Sequence, residues 1–108
     1  MDGLASLAAG HEGGELLTRP VRFTGDRLEL NFATSAAGGI RVELQEPDGT
    51  PIPGFTLEDS IELIGNEIAR DASWRGGRDL SALSGRPVRL RVVLRDAELF
   101  SFRFHERP

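Results

Sequence analysis

Apolar and polar residues alternate strictly along two neighbouring stretches, and this alternation restricts the chain to a fold built from β-strands. In Arg27–Thr34 the apolar residues are Leu28, Leu30 and Phe32, and in Gly39–Glu46 they are Ile40, Val42 and Leu44. Successive side chains of a strand point to opposite faces, so a period of two buries one face and leaves the other in water. The small, Gly-rich segment Ser35–Gly39 between them predicts a β-hairpin.

The C-terminal part of the chain repeats this pattern. Val88, Leu90, Val92 and Leu94 alternate with arginines and one further valine, and Phe100, Phe102 and Phe104 alternate with polar residues. The short segment Asp96–Glu98 predicts a turn that joins the two runs into a second hairpin. The three phenylalanines are expected at the centre of the core, because spacings of two and four suit no single face of a helix.

The rest of the chain predicts short strands and turns. Pro47-Asp48-Gly49 has the composition of a β-turn, and Asp79–Gly85 that of one helical or 3₁₀ turn. Pro51 and Pro53 limit Thr50–Leu57 to an edge strand or an extended loop. The remaining predicted strands are Leu4–Ala9, Gly14–Arg19, Val21–Phe23 and Glu67–Trp74. About eight short strands without a useful helix predict an all-β fold, a two-layer antiparallel β-sandwich or jelly roll, as one domain over residues 1–108.

Composition excludes several classes of partner. The net charge is −4, and all 13 basic residues are arginines interleaved with carboxylates, so a nucleic-acid surface is not expected. The chain has no cysteine, which excludes disulfides and thiolate metal sites. No apolar run approaches the roughly 20 residues that cross a bilayer, and the N-terminus lacks the basic region of a signal peptide.

Three stretches resemble a known accessory domain. GGELLTRPVRF (Gly13–Phe23), LELNFATSAAGGIRVELQEPDGTPIPGF (Leu28–Phe55) and WRGGRDLSALSGRPVRLRVVLRDAELFSFRF (Trp74–Phe104) resemble the C-terminal β-sandwich domain of predicted bacterial glycosidases, including chains with a glycoside hydrolase family 32-like propeller. The sequence departs from that pattern at Phe100, where tyrosine is expected, and at Ile61–Leu63, where polar residues are more frequent. The resemblance implies a non-catalytic accessory domain, with the catalytic carboxylates in a separate domain of a secreted or periplasmic bacterial parent.

The residues themselves predict no catalytic site. The carboxylates of a glycosidase face each other across a cleft, whereas Glu29 and Glu43 occupy outward strand positions. The two histidines, His11 and His105, lie near opposite ends of the chain, where terminal strands that pair would make a two-histidine metal site. A structural calcium ion is the other metal considered, with oxygen ligands from Asp2, Glu12, Asp96 and Glu98. No other cofactor is expected.

Sugar-binding modules present flat aromatic rings beside polar groups. Trp74 is the one tryptophan, and Arg75, Arg78 and Asp79 are its natural companions if its ring is exposed; Phe55 is a second candidate. The alternative is that Trp74 and Phe55 both belong to the core.

An outward stripe of arginines, formed by Arg89, Arg91 and Arg95, predicts cross-strand ion pairs with Glu29 or Glu43 rather than an anion site. Val93 in the same row indicates that part of this face is covered.

Three hypotheses of function remain. The first is an accessory domain that packs on a glycosidase catalytic domain. The second is a carbohydrate-binding module that holds a polysaccharide through Trp74. The third is a small β protein that self-associates through an edge strand, which would make a homodimer.

Overall fold

The computed structural model describes residues 2–10, 12–66 and 68–106, with the backbone alone for 2–9 and 68. It contains six strands: β1 (Asp2–Ala9), β2 (Gly14–Leu17), β3 (Val21–Arg22), β4 (Arg27–Gln45), β5 (Ile68–Asp71) and β6 (Pro87–His105). Every strand pairing is antiparallel, and the described residues form no helix beyond the 3₁₀ turn Ser81–Leu83. The predicted all-β antiparallel class is confirmed, with six strands where the sequence pattern predicts about eight.

Both predicted hairpins are wrong, because each is one continuous strand of 19 residues. Strand β4 pairs with β6 along its whole length, from Arg27 opposite His105 to Gln45 opposite Arg89. The chain therefore makes one long two-stranded ribbon instead of two short local hairpins.

Residues 35–38 of β4 form a bulge and not a turn. Pairing passes from Thr34 opposite Ala97 to Gly39 opposite Arg95, so four residues of β4 face the single residue Asp96. Asp96 takes the left-handed conformation, with φ of 45°. Bulges and tight turns require the same small residues and the same tolerance of left-handed backbone, which is why this segment has the composition of a hairpin connection.

The ribbon bends sharply. A straight strand of 19 residues would span roughly 60 Å, whereas the longest dimension of the molecule is 35 Å. The bulge opposite Asp96 is where β4 and β6 leave regular pairing together, so the bend lies there.

The N-terminal strands line the free edge of β6. Strand β1 pairs with residues 97–103, β2 with 91–94 and β3 with 87–88. Strand β5 pairs with the other edge of β4, which gives the strand order β1-β6-β4-β5. Strand β6 therefore lies at the centre, with partners along both edges.

The alternation predicted for β4 and β6 is confirmed by the core. The alternating apolar residues of the two strands are all at most 1% exposed: Leu28, Leu30, Phe32, Ile40, Val42 and Leu44 of β4, and Val88, Leu90, Val92 and Leu94 of β6. The same core also contains Phe23, Ile52, Leu63, Ala72, Trp74, Leu80, Leu83, Ala97, Leu99 and Phe104.

The three C-terminal phenylalanines do not share the centre of the core equally. Phe104 is 6% exposed, whereas Phe102 is partly buried against the core and Phe100 is half-buried. Pairing shifts from Asn31 opposite Ser101 to Phe32 opposite Leu99, so Phe100 occupies a second bulge. The extra residue reverses which residues of β6 point inward, and Leu99 takes the buried position.

The predicted local turns are confirmed. Gly49 has φ of 93°, and the Asp48 carboxylate accepts a hydrogen bond from the Thr50 amide. The Asp79 carboxylate likewise accepts a bond from the Ser81 amide at the start of the 3₁₀ turn, and Gly85 follows that turn with φ of 86°. Pro51 joins β4 only through an isolated bridge to Gln45.

Among the described residues, no helix is long and apolar enough to cross a membrane.

Candidate functional site

Trp74 belongs to the core. Its side chain is 2% exposed, its indole Nε1 donates a 2.9 Å hydrogen bond to the Val42 carbonyl oxygen, and the Phe55 ring meets it edge-on at 5.1 Å. Phe55 is itself partly buried against the core. Neither ring offers an open face for a sugar, so the buried alternative is the one found.

The predicted companions of Trp74 do not gather around its ring. Arg75 extends into solvent 4.0 Å from Asp59, and Arg78 lies 3.9 Å from Asp71. Asp79 contacts Arg27 at 3.6 Å on the other side of the loop.

The four predicted calcium ligands do not lie together, because Asp2 is at one end of β1 and the other three are near its other end. Asp2 stands opposite Arg103, whereas Glu98 stands opposite Ala8, roughly 20 Å away along β1. Asp96 lies in the bulge, and Glu12 is exposed in the connection between β1 and β2. His11 lies outside the described residues, and with it the predicted His11–His105 pair.

A different cluster brings a histidine and two carboxylates together on the outer face of the sheet. Glu29 of β4 stands opposite Asp71 of β5, and His105 of β6 lies two residue pairs along, opposite Arg27, on the same face. One donor atom from each of Glu29, Asp71 and His105 lies within 4.8 Å of the others. Nε2 of His105 is 2.8 Å from Oδ1 of Asp71.

Charged neighbours surround this cluster. Nε of Arg103 donates to Oε1 of Glu29 at 3.1 Å, and Nδ1 of His105 lies 3.2 Å from the carbonyl oxygen of Glu106. The hydrogen bond to Asp71 is the main cause that raises the pKa of His105 above its ordinary value of 6.5, and partial desolvation opposes it. Imidazole and carboxylate together can bind a transition metal or share a proton.

Among the described ion pairs, Arg91 is the one member of the outward arginine stripe that takes part, whereas Arg89 donates a hydrogen bond to the Pro47 carbonyl oxygen. Arg91 bonds to Glu15 at 2.7 Å and approaches Glu43 to 3.6 Å, whereas Glu29 pairs with Arg103. Glu15 belongs to β2, and its contact with Arg91 requires the pairing of β2 with β6, which the sequence pattern does not specify.

Glu43 is a buried carboxylate with three partners. Its side chain is 5% exposed, although it points to the outer face of β4. It accepts hydrogen bonds from the Gln45 amide at 2.8 Å and from the Leu57 backbone at 3.1 Å, beside the guanidinium of Arg91. It therefore anchors the loop after β4 to the sheet.

An open groove lies beside the bend. Gly39, Arg41, Glu62, Val93 and Arg95 line a space of about 330 Å³. Arg41 is held by a 2.7 Å hydrogen bond to the Ser60 carbonyl oxygen. The groove is bordered by the segment that carries Ile61 and Ile64, each 49% exposed.

Comparisons of the chain with family models, with curated proteins and with solved structures gave no match in any of the three. None of them links the chain to glycoside hydrolase family 32-like proteins.

Proposed function

We propose that this chain is a non-catalytic accessory β domain that packs on a separate catalytic domain, which the sequence resemblance identifies as glycosidase-like. The observation that supports the proposal is that carboxylates on the outer face pair with arginines. Glu15, Glu29 and Glu43 are each within ion-pair distance of an arginine of β6. Carboxylates that face arginines across a sheet stabilise the sheet and do not face each other across a cleft.

We further propose that the bent ribbon closes into two layers, as a sandwich. The apolar residues on both sides of the bulge, such as Leu28, Phe32, Val42 and Leu44, enter one core cluster. Two halves of a ribbon that bury their inner faces against the same core correspond to the two layers of a sandwich.

The surface proposed for docking is formed by Ile61, Ile64 and the groove with Val93. Two half-exposed isoleucines within four residues, beside arginine and glutamate side chains, give the apolar centre and charged border that protein interfaces have. Leu17, with 48% exposure, lies on β2 at the opposite edge of the sheet and provides a matched control.

The test uses the purified chain and a family 32-like propeller catalytic domain, mixed and measured by isothermal titration calorimetry. We expect a complex with the wild type and with Leu17→Glu, and none with Ile61→Glu/Ile64→Glu. A chain that forms no complex, or that hydrolyses aryl glycosides alone, contradicts the proposal. A homodimer that dissociates in the isoleucine variant would favour the self-association hypothesis instead.

Carbohydrate binding is the second candidate, and the groove beside Gly39 is the observation that favours it. Arg41, Glu62 and Arg95 direct polar groups into one open space, where they can bond to sugar hydroxyls. Affinity electrophoresis in polysaccharide gels, with wild type against Arg95→Ala, tests this candidate. Retardation of the wild type that is lost in Arg95→Ala supports it, and equal mobility of both proteins in every gel contradicts it.

A further inference from the structure

We propose that Glu29, Asp71 and His105 form a binding site for a divalent transition metal ion, with Zn²⁺ as the ion that fits best. The site is independent of the accessory function proposed above. Its three residues come from three adjacent strands, β4, β5 and β6, so a bound ion would connect strands that otherwise contact each other only pairwise.

The donor atoms need only small movements to coordinate one ion. Zinc binds imidazole nitrogen and carboxylate oxygen at roughly 2.0–2.2 Å, which places neighbouring donors about 3.3–3.6 Å apart in a tetrahedral site. The three donors already lie within 4.8 Å of one another. The His105–Asp71 pair must open slightly from 2.8 Å, and the donors that are further apart must approach by about 1 Å. Side chains that are 19% to 29% exposed have room for this change.

The orientation of His105 suits a metal ligand. Nδ1 is positioned to donate its proton to the carbonyl oxygen of Glu106 at 3.2 Å, and Nε2 is the nitrogen that points at Asp71. A ligating histidine characteristically donates its other ring nitrogen to a backbone carbonyl, which fixes the tautomer with the metal-binding lone pair free. Nε2 already lies 2.8 Å from Oδ1 of Asp71, so the two donor atoms that would share the ion are neighbours.

Two neighbouring arginines contact the carboxylates of the cluster. Arg103 bonds to Glu29 at 3.1 Å, and Arg78 approaches Oδ2 of Asp71 at 3.9 Å, which is not the oxygen that faces His105. Outer partners of this kind orient ligating carboxylates. Both arginine side chains are more than half exposed, so they can move aside without opening the core.

The donor set selects among metals. One imidazole with two carboxylates suits zinc and similar transition ions, whereas calcium prefers six to eight oxygen ligands. Three protein ligands leave at least one position for water. We therefore expect exchangeable binding of Zn²⁺ or Co²⁺, and no competition from Ca²⁺.

The test is a titration of the metal-stripped chain with ZnCl₂, followed by calorimetry and by the visible absorption of Co²⁺. We expect one ion per chain, and an affinity at least about tenfold weaker in His105→Gln and Asp71→Asn. The matched controls are His11→Gln, at the other histidine, and Glu98→Gln, at a carboxylate of β6 outside the cluster; both should bind as the wild type does.

A second measurement needs no substitution in the site. Proton–nitrogen correlation spectra of the imidazole rings report which histidine binds, and Zn²⁺ should shift the His105 Nε2 resonance. Absence of binding to the wild type, unchanged affinity in both site variants, or loss of binding in His11→Gln would overturn the proposal.

Discussion

The indole nitrogen of Trp74 and the carbonyl oxygen of Val42 are joined by a 2.9 Å hydrogen bond in the core. Val42 lies in the second half of β4, and Trp74 lies in the loop that follows β5. The bond therefore fastens that loop to the edge of the long ribbon. It satisfies a polar group that would be costly to bury without a partner.

Replacement of Trp74 should destabilise the whole domain. Trp74→Ala removes a ring that is 2% exposed, and we expect a loss of about 3–5 kcal/mol in the free energy of unfolding. Trp74→Phe should lose less, since it keeps most of the packing and removes the hydrogen bond. Urea unfolding followed by far-UV circular dichroism measures both losses. A loss below about 1 kcal/mol in Trp74→Ala would contradict the core position.

The bend should depend on Gly38. A Cβ atom at this position would overlap the carbonyl oxygens of Arg95 and Asp96, which are backbone atoms and cannot move aside. We expect Gly38→Ala to lower the free energy of unfolding by about 3 kcal/mol. The atoms nearest to a Cβ at Gly39 belong to the flexible side chain of Glu62, which can move aside, so Gly39→Ala is the matched control and should cost about 1 kcal/mol or less. Equal losses in the two variants would mean that close backbone contact does not define the bulge.

The two glutamates that contact Arg91 should differ in their importance. Glu43 is 5% exposed, and Glu43→Ala would leave the Leu57 amide and the Gln45 side chain without their acceptor. We expect a loss of about 2–3 kcal/mol for this change. Glu15 is 45% exposed, and Glu15→Ala should cost less than about 1 kcal/mol. Thermal and urea unfolding of both variants measure the difference, and a larger loss in Glu15→Ala would contradict it.

The His105–Asp71 pair should make stability depend on pH in the metal-free protein. Since the pKa of His105 is raised in the folded state, its contribution is complete below the unfolded value of about 6.5 and is lost as the pH rises through the higher folded value. We expect His105→Gln to be less stable than the wild type in mildly acidic buffer with chelator, and the difference to shrink at alkaline pH. Urea unfolding across this range measures it. A difference that grows with pH would have the wrong sign.

The residues of the core were predictable from the sequence because alternation is a local property. Leu28, Ile40 and Leu90 are buried where the period of two places them. The path of the chain was not predictable from the same pattern. Residues 35–38 have the composition of a turn, and only the long-range pairing with β6 makes them a bulge.

The cluster around His105 depends on register. Glu29 and Asp71 meet because β5 pairs with β4 at one particular offset, and a shift of one residue would turn Asp71 to the other face. Asp71 lies within the predicted strand Glu67–Trp74, and this was the available signal. The sequence could not decide whether Trp74 is buried or exposed for a similar reason, because its bond to Val42 joins residues 32 positions apart.

The pairing of β4 with β6 also determines when the chain can fold. Gln45 and Arg89 are the paired residues of β4 and β6 that lie closest in sequence, and they are 44 positions apart. At the other end of the ribbon, the paired residues Arg27 and His105 are 78 positions apart. Closing such long loops costs entropy before any contact compensates for it, so refolding should take milliseconds to seconds and not the microseconds of a local hairpin. On the ribosome, the edge of β4 that faces β6 must wait unpaired until residues 87–105 have been synthesised.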